Sequence, residues 1–243
     1  MTASIEDLYD VIDGTWPAKR FVTHGIWCLR DGDGGGKRVS AATASGPATG
    51  TDIEDAEKAM INMGQTPLFM VRNGDAALDA NLAELGYHIV DPVTVYACVP
   101  NMLTDVAIPR VTVFDLWEPL AIMREIWEQG GIGAARQRVM HRAPGPKTAL
   151  LCRLDDKPAG VAFVAVHNHV AMVHAVEVLP HQRRKGAAAW MMRGAAFWAE
   201  RQGAHTLSVI CTNANTGANA LYTGLGFSVQ GHYHYRMKTK EAA

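Results

Sequence analysis

The stretch HAVEVLPHQRRKGAAAW, His174 to Trp190, joins an apolar strand to an alanine-rich helix through three cations and a glycine. Strand character stops at Pro180, which has no N–H to give a ladder. Helical spacing begins near Gly186. Ala187, Trp190, Met191, Gly194 and Trp198 then fall on one face of a helix. A helix starting there points unpaired backbone N–H groups, and the positive end of its dipole, back at Arg183, Arg184 and Lys185. Gly186, Ala187 and Ala188 carry no bulk to keep a ligand off the backbone. Together these features make an anion site suited to a pyrophosphate. A solvated basic turn is the bland alternative, and it gives no reason for the small residues.

Outward from this stretch, the second half reads as helices over residues 118–129 and 133–142, then strands over 147–154 and 159–167 joined by an Asp-Asp-Lys-Pro turn. A strand over 170–179 follows through Asn168. After the helix of residues 186–201 come a strand at 206–211, a helix at 216–223 and strand from 228 to 238. The first half reads as strands over 21–29 and 37–44 with the glycine-rich run 31–36 as their hairpin. A helix over 52–63, a strand over 67–72, a helix over 76–85 and strand over 87–99 complete it. Meandering strands followed by strand–helix–strand units imply an α/β fold with a mixed sheet.

The chain resembles itself. ANLAELGYHI, starting at Ala80, and ALYTGLGFSV, starting at Ala220, align at a shift of 140 residues. Ala56 and Ala195, Gly64 and Gly203, and Leu68 and Leu207 align at 139. The expected organisation is a degenerate copy in residues 1–100, a linker near Pro100–Pro109, and a functional domain in residues 110–243. At the shift of 140 the cationic loop is replaced by Thr43 to Ala48, Thr-Ala-Ser-Gly-Pro-Ala, with no cation. Leu82 replaces Tyr222. The first half is therefore expected to be structural, with one ligand bound per chain.

With both halves laid out, Arg183-Arg184-Lys185-Gly186-Ala187-Ala188 resembles the acetyl-CoA signature of the GNAT N-acetyltransferases, Arg/Gln-x-x-Gly-x-Gly/Ala. A second motif of that family is matched by Asn215, Ala218, Leu221, Tyr222, Leu225, Gly226 and Phe227. The two motifs stand in the family's order, separated by one helix and one strand, and the resemblance covers roughly residues 149–237. It implies the GNAT acyl-CoA fold, in tandem with a degenerate first copy. It also implies acetyl-CoA as donor, with no metal, and a primary amine of a small molecule or peptide as acceptor. Arg183, Arg184, Lys185, Gly186, Ala187 and Ala188 would hold the pyrophosphate. Val176 and Val178 would run beside the pantetheine, and Asn215 would complete the cofactor site.

The chemistry needs a base, an oxyanion donor and an acid. A lysine-type amine has a pKa of about 10.4 and must lose a proton before it attacks a thioester, while a thiol leaving group of about 8.5 is helped by a proton donor. The resemblance gives Tyr222 the acid role; a packed core tyrosine is the alternative. Glu177, between Val176 and Val178, is the candidate base, with a solvent-facing carboxylate as the alternative. His174, three residues earlier, falls on the opposite face by strand alternation. In some relatives the base lies on the strand after the helix, where this chain has Ser208, which cannot serve. The Val178 N–H would serve the oxyanion if its strand bulges there. A non-catalytic acyl-CoA-binding or regulatory module remains the competing class.

Composition restricts the rest. The 243 residues are 48% hydrophobic with a net charge of −1, which disfavours a general nucleic-acid or membrane binder. The polar start and the lack of a long apolar run favour a cytoplasmic protein. The four cysteines show no paired spacing and read as reduced core residues. A homodimer is compatible with all of this. His167, His169 and His174 crowd one hairpin without a fourth ligand spaced for zinc. The run Gly32 to Lys37 fails the P-loop pattern at both ends. His232 to Arg236 reads either as pocket lining or as an edge strand with mixed faces.

Overall fold

A computed structural model describes residues 2–238. In chain order the elements are α1 (Ile5–Thr15), β1 (Arg20–His24), β2 (Trp27–Asp31), a 3-10 turn at Lys37–Val39, β3 (Thr43–Ala44), α2 (Gly50–Asn62), β4 (Phe69–Arg72), α3 (Ala76–Glu84) and β5 (His88–Cys98). A second 3-10 turn at Pro100–Met102 leads to β6 (Val113–Leu116), α4 (Ala121–Gln129), α5 (Ala134–Arg142), β7 (Lys147–Leu154), β8 (Lys157–His167) and β9 (Val170–Val178). A third, Pro180–Gln182, precedes α6 (Ala187–Arg201), β10 (Thr206–Thr212), α7 (Thr216–Gly224) and β11 (Ser228–Met237). The elements form the mixed α/β fold expected.

They sort into two compact units. One holds the chain up to Pro17, Val95–Cys211 and Asn215–Gln230; the other holds Ala18–Thr94, Thr212–Ala214 and the chain from Gly231 on. These units divide the chain differently from residues 1–100 and 110–243. The N-terminal helix goes with the later residues, and β11 passes from one unit to the other.

In the first unit the strand order is β11–β5–β10–β9–β8–β7–β6. The β7–β8 and β8–β9 hairpins turn on Asp155-Asp156 and Asn168-His169, all with positive φ. Such turns match the twist of the strands, and Asp and Asn tolerate them. β9 and β10 are parallel, in register from Val170 with Thr206 to Val173 with Val209. The core beneath α6 is apolar, with Met191, Met192, Ala195 and Ala199 meeting Leu150, Ala162, Val173 and Leu207. α1 was not foreseen. Its signals are local: a capping box between Ser4 and Asp7, then Leu8, Val11 and Ile12 buried at helical spacing.

In the second unit β1, β2 and β3 form a small antiparallel sheet. Its hairpin turns at Gly25-Ile26, between the paired His24 and Trp27, and not at the glycine-rich run. Gly25 has φ +58, so the turn sits inside what the residues 21–29 suggest as one strand. Trp27, Phe69 and Tyr87 pack edge to face or tilted in its core, with ring centroids 5.1 and 5.3 Å apart. β4 pairs with β11 from Phe69 with Arg236 to Arg72 with Tyr233. β11 lies between β4 and β5, so the edge-strand reading of His232–Arg236 is corrected. Tyr233 and Tyr235 are buried on one face, while His234 and Arg236 both donate to Asp79 Oδ1 at 2.7 Å.

Candidate active site

Everything in this site belongs to the first unit. Its frame is the point where β9 leaves β10. Their parallel pairing ends at Val173 and Val209, yet both strands continue. On the other side of β9 the register with β8 slips. Phe163 faces His174, but Val161 faces Glu177, so three steps on β9 answer two on β8. The extra residue is a bulge, with Ala175 at φ +52. The buried Trp127 of α4 donates its indole N–H to the Ala175 carbonyl at 2.8 Å and pins the bulge.

The bulge corrects one expectation. Directly paired residues share a face, and Val161 and Phe163, two apart on β8, share theirs. His174 and Glu177 therefore lie on the same face of the sheet. They nonetheless have different surroundings. His174 is buried between Trp16 and Phe163, with Nε2 2.8 Å from Thr15 Oγ1. That hydroxyl donates to the Val11 carbonyl, so His174 Nε2 carries a proton and donates to it. This histidine fastens α1 to the sheet. The Glu177 side chain is 19% exposed, and its Oε1 lies 3.2 Å from Arg183 Nη2.

Beyond the bulge the antiparallel ladder resumes, with Leu179 N–H donating to Ala159 O. By ladder alternation the Val178 N–H and C=O then point away from β8, to the side where β10 has departed. The Val178 carbonyl accepts from Arg183 Nε at 3.1 Å. Arg183 thus spans Val178 and Glu177.

The loop after β9 is exposed from Arg183 to Gly186. Arg184 has φ +65, and Gly186 takes φ +89 as the N-cap of α6. Such a φ is costly for a residue with a Cβ, which explains the glycine. No side chain caps α6. Its first N–H groups are therefore left to solvent or ligand. Ala187 is buried beneath them, and Lys185 Nζ lies 3.2 Å from Gln182 Oε1.

Tyr222 lies on α7. It is 4% exposed, with its ring 5.7 Å from Tyr96 and 6.0 Å from Phe227. Burial, and after it the nearby Cys211 and Tyr96, push its pKa far up, so the phenol stays protonated at neutral pH. Asn215 is occupied by its own helix. Its Oδ1 accepts from Ala218 N–H at 3.1 Å, and its carbonyl accepts from Asn219 Nδ2 at 2.8 Å. Tyr96 donates its hydroxyl to Asn219 Oδ1 at 2.9 Å and ties α7 to β5. Ser208 is buried and donates to the Tyr96 carbonyl at 2.7 Å.

The three hairpin histidines go to separate partners: His167 to Asp10, His169 against His205, and His174 to Thr15. Among the described residues no group of three or more His, Cys, Asp and Glu side chains is disposed to hold a metal ion. All four cysteines are free, and burial pushes Cys98 to about 12 and Cys152 and Cys211 to about 11. Cys98, Cys152 and Cys211 are thiols, with little thiolate to react. Trp127, Tyr96, Thr15 and Gly130 escape sequence reading because their roles depend on contacts between distant segments.

The mixed sheet thus parts at one parallel strand pair, with a cationic loop and an uncapped helix at the parting. Residues 113–227 match the Acetyltransferase (GNAT) family. Over that region, a little under half of its length, the chain is similar to the GNAT acetyltransferases. It is 24% identical over 233 residues to the "Uncharacterized N-acetyltransferase YobR" of Bacillus subtilis, a match spanning 92% of this chain and 94% of that protein. In structure it is similar to a GCN5-related N-acetyltransferase from Kribbella flavida, with TM-score 0.73 and 21% identity over 99% of this chain and 97% of the other. A functionally unknown conserved protein from Staphylococcus epidermidis follows the same fold, with TM-score 0.72 and 14% identity over 97% of each chain.

Proposed function

We propose that this acyltransferase moves an acetyl group from acetyl-CoA to a primary amine. The observation that carries the reading is the coincidence, at one parting of β9 from β10, of a cationic loop, an outward-facing Val178 N–H and the Glu177 carboxylate. The pyrophosphate would lie on the N–H groups at the start of α6 and on Arg183 to Lys185, and the pantetheine along Val176 and Val178. Asn215 would act through α7, whose first turn it caps.

In this reading Glu177 takes a proton from the ammonium, directly or through water. The amine nitrogen attacks the thioester carbon, and the carbonyl becomes an oxyanion that accepts from the Val178 N–H. The C–S bond then breaks, the electron pair leaves on sulfur, and the nitrogen gives its second proton to solvent as the amide forms. A buried phenol holds its proton more tightly than a thiol of pKa about 8.5. Tyr222 therefore acts first as a hydrogen-bond donor to the developing thiolate, and full proton transfer to sulfur follows late.

Residues 1–100 are read as a degenerate structural copy. The support is local geometry: α3 and α7 each have nine residues and start 140 positions apart, and the glycines after them, Gly86 and Gly226, have φ of 81° and 85°. A non-catalytic acyl-CoA-binding module is favoured by one observation, the packing of Tyr222 between Tyr96 and Phe227 in the core.

The deciding experiment is release of free thiol from acetyl-CoA with spermidine, phenethylamine, lysine methyl ester and a pentapeptide with a free N-terminus. Amine-dependent turnover that falls at least about 100-fold in Glu177→Gln, the low end for general base catalysis, is the expected result. Stoichiometric acetyl-CoA binding without turnover on any amine would establish the binding module instead.

A further inference from the structure

Glu177 is seated from outside its own strand. α4 ends against the β9 bulge with two contacts one turn apart. Trp127 holds the Ala175 carbonyl. Gly130, the residue that ends α4, lies against the Glu177 side chain. A Cβ built at Gly130 would stand 2.5 Å from both Cγ and Cδ of Glu177 and 2.6 Å from Oε2. These distances are far inside van der Waals contact. Gly130 has φ −80 and ψ 7, a conformation open to any residue, so the backbone does not demand glycine. What demands it is the space taken by the carboxylate. On the far side Arg183 Nη2 contacts Oε1. One carboxylate oxygen thus faces a guanidinium and the other a notch in the end of a helix.

We propose that the C-terminal end of α4 is the positioning element of the catalytic base: Trp127 sets the bulge that turns Glu177 into the site, and the missing side chain of Gly130 is the notch that seats its carboxylate. The inference rests on Glu177 being the base. Gly130 and Trp127 are positioning residues, since they act through Glu177 and the Ala175 carbonyl. The end of α4, remote in sequence from the cofactor motif, then determines how an amine is deprotonated.

Gly130→Ala tests this with the smallest change. The new methyl has no backbone strain to relieve and displaces only the flexible end of Glu177. A displacement near 1 Å can cost up to about 100-fold in rate. With phenethylamine, or whichever amine of the panel turns over, kcat is expected to fall roughly 10- to 100-fold, with acetyl-CoA affinity and the melting temperature unchanged. Glu177→Asp withdraws the carboxylate from the notch. The effect of Gly130→Ala should therefore nearly vanish in the Glu177→Asp background. Trp127→Phe keeps one aromatic ring at a smaller volume, loses the indole N–H and should lower kcat with acetyl-CoA affinity unchanged, alongside a lower melting temperature from the cavity it leaves.

A crystal structure of Gly130→Ala gives a reading that needs no acceptor: the Glu177 carboxylate should be displaced from its contact with Arg183. An unmoved carboxylate, a wild-type rate in Gly130→Ala, or equal losses in the wild-type and Glu177→Asp backgrounds would each overturn the positioning role. Wild-type turnover in Glu177→Gln would instead remove the base reading on which it rests. An inactive Glu177→Gln beside a fully active Gly130→Ala would remove the positioning role alone.

Discussion

The crossover β9–α6–β10–α7–β11 and the crossover β3–α2–β4–α3–β5 follow one plan, and their helix starts differ in what they leave undone. α6 begins at a left-handed glycine behind three cations, and no side chain closes its first turn. α2 begins at Thr49. Its hydroxyl accepts from the Asp52 N–H, while the Asp52 carboxylate accepts from the Thr49 N–H, a complete capping box. Where α6 leaves donors open, α2 has satisfied its own and placed a negative charge at the spot an anion would need. A helix later the two stretches differ in charge, with both side chains hydrogen-bonded. Asn219, uncharged, accepts from Tyr96, whereas Asp79 at the matching position binds His234 and Arg236. At its first turn α6 leaves backbone donors open, whereas α2 closes its own.

The largest effect expected from this contrast is at the phenol. Tyr222→Phe should lower turnover about 100-fold, the low end for general acid catalysis, since its raised pKa makes the phenol a reluctant donor. Acetyl-CoA affinity should hold, and substitutions at the buried Leu82 should affect folding only. Wild-type turnover in Tyr222→Phe would erase the difference between the two helices.

Next is the loop glycine. Gly186→Val puts a β-branched residue at φ +89, a strain of about 1–3 kcal/mol that weakens acetyl-CoA binding roughly 5- to 150-fold. Gly46→Val should do nothing, because a Cβ at Gly46 meets no atom within 4 Å. Titration calorimetry should find one acetyl-CoA per chain. Two per chain, or weakened binding in Gly46→Val, would make the first copy a working site.

Sequence reading was strong wherever local spacing governs. β7, α6, β10 and α7 came out within two residues of their positions, and the cationic loop before α6 was legible because charge and small residues sit side by side. Gly46 looked like the counterpart of Gly186 at a constant shift. The structure puts the α2 cap at Thr49, because α2 has 13 residues against 15 in α6 and the offset drifts along the helix. The face of His174 was misjudged because a bulge breaks the period of two, and nothing local in His-Ala-Val-Glu signals it. The signal lies in Trp127, 48 positions before the carbonyl it holds. The β1–β2 turn was misplaced because one glycine at Gly25 outweighs a longer glycine run that serves as a loop.

Smaller still is the cap. Thr49→Ala should cost about 1 kcal/mol of stability, read as a drop of roughly 2–4 °C in melting temperature, with acetyl-CoA affinity unchanged. A weakened affinity would mean that α2 takes part in binding.

The smallest effect is at Asp79, where the Arg236 hydrogen bond, opposed by burial and aided by His234, holds the carboxyl below the usual range. A depressed pKa in the folded state contributes stability above the unfolded value, near 3.9, that is lost as pH falls through the folded one. Asp79→Asn should therefore be less stable than wild type at neutral pH, and the gap should close in acid. Melting curves from pH 7 to pH 3 that stay parallel would refute this.

Strands β5 and β11 each begin in one compact unit and end in the other, so the chain passes between units five times. Neither unit is a continuous length of polypeptide, and this matters while the protein is being synthesised. Residues 18–94 leave the ribosome on the order of ten seconds before Gly231 at ordinary elongation rates. Until β11 arrives, the apolar β4, Phe69 to Arg72, lacks its antiparallel partner. A nascent chain in that interval presents an open strand edge, the usual starting point for aggregation and a natural place for a chaperone to hold.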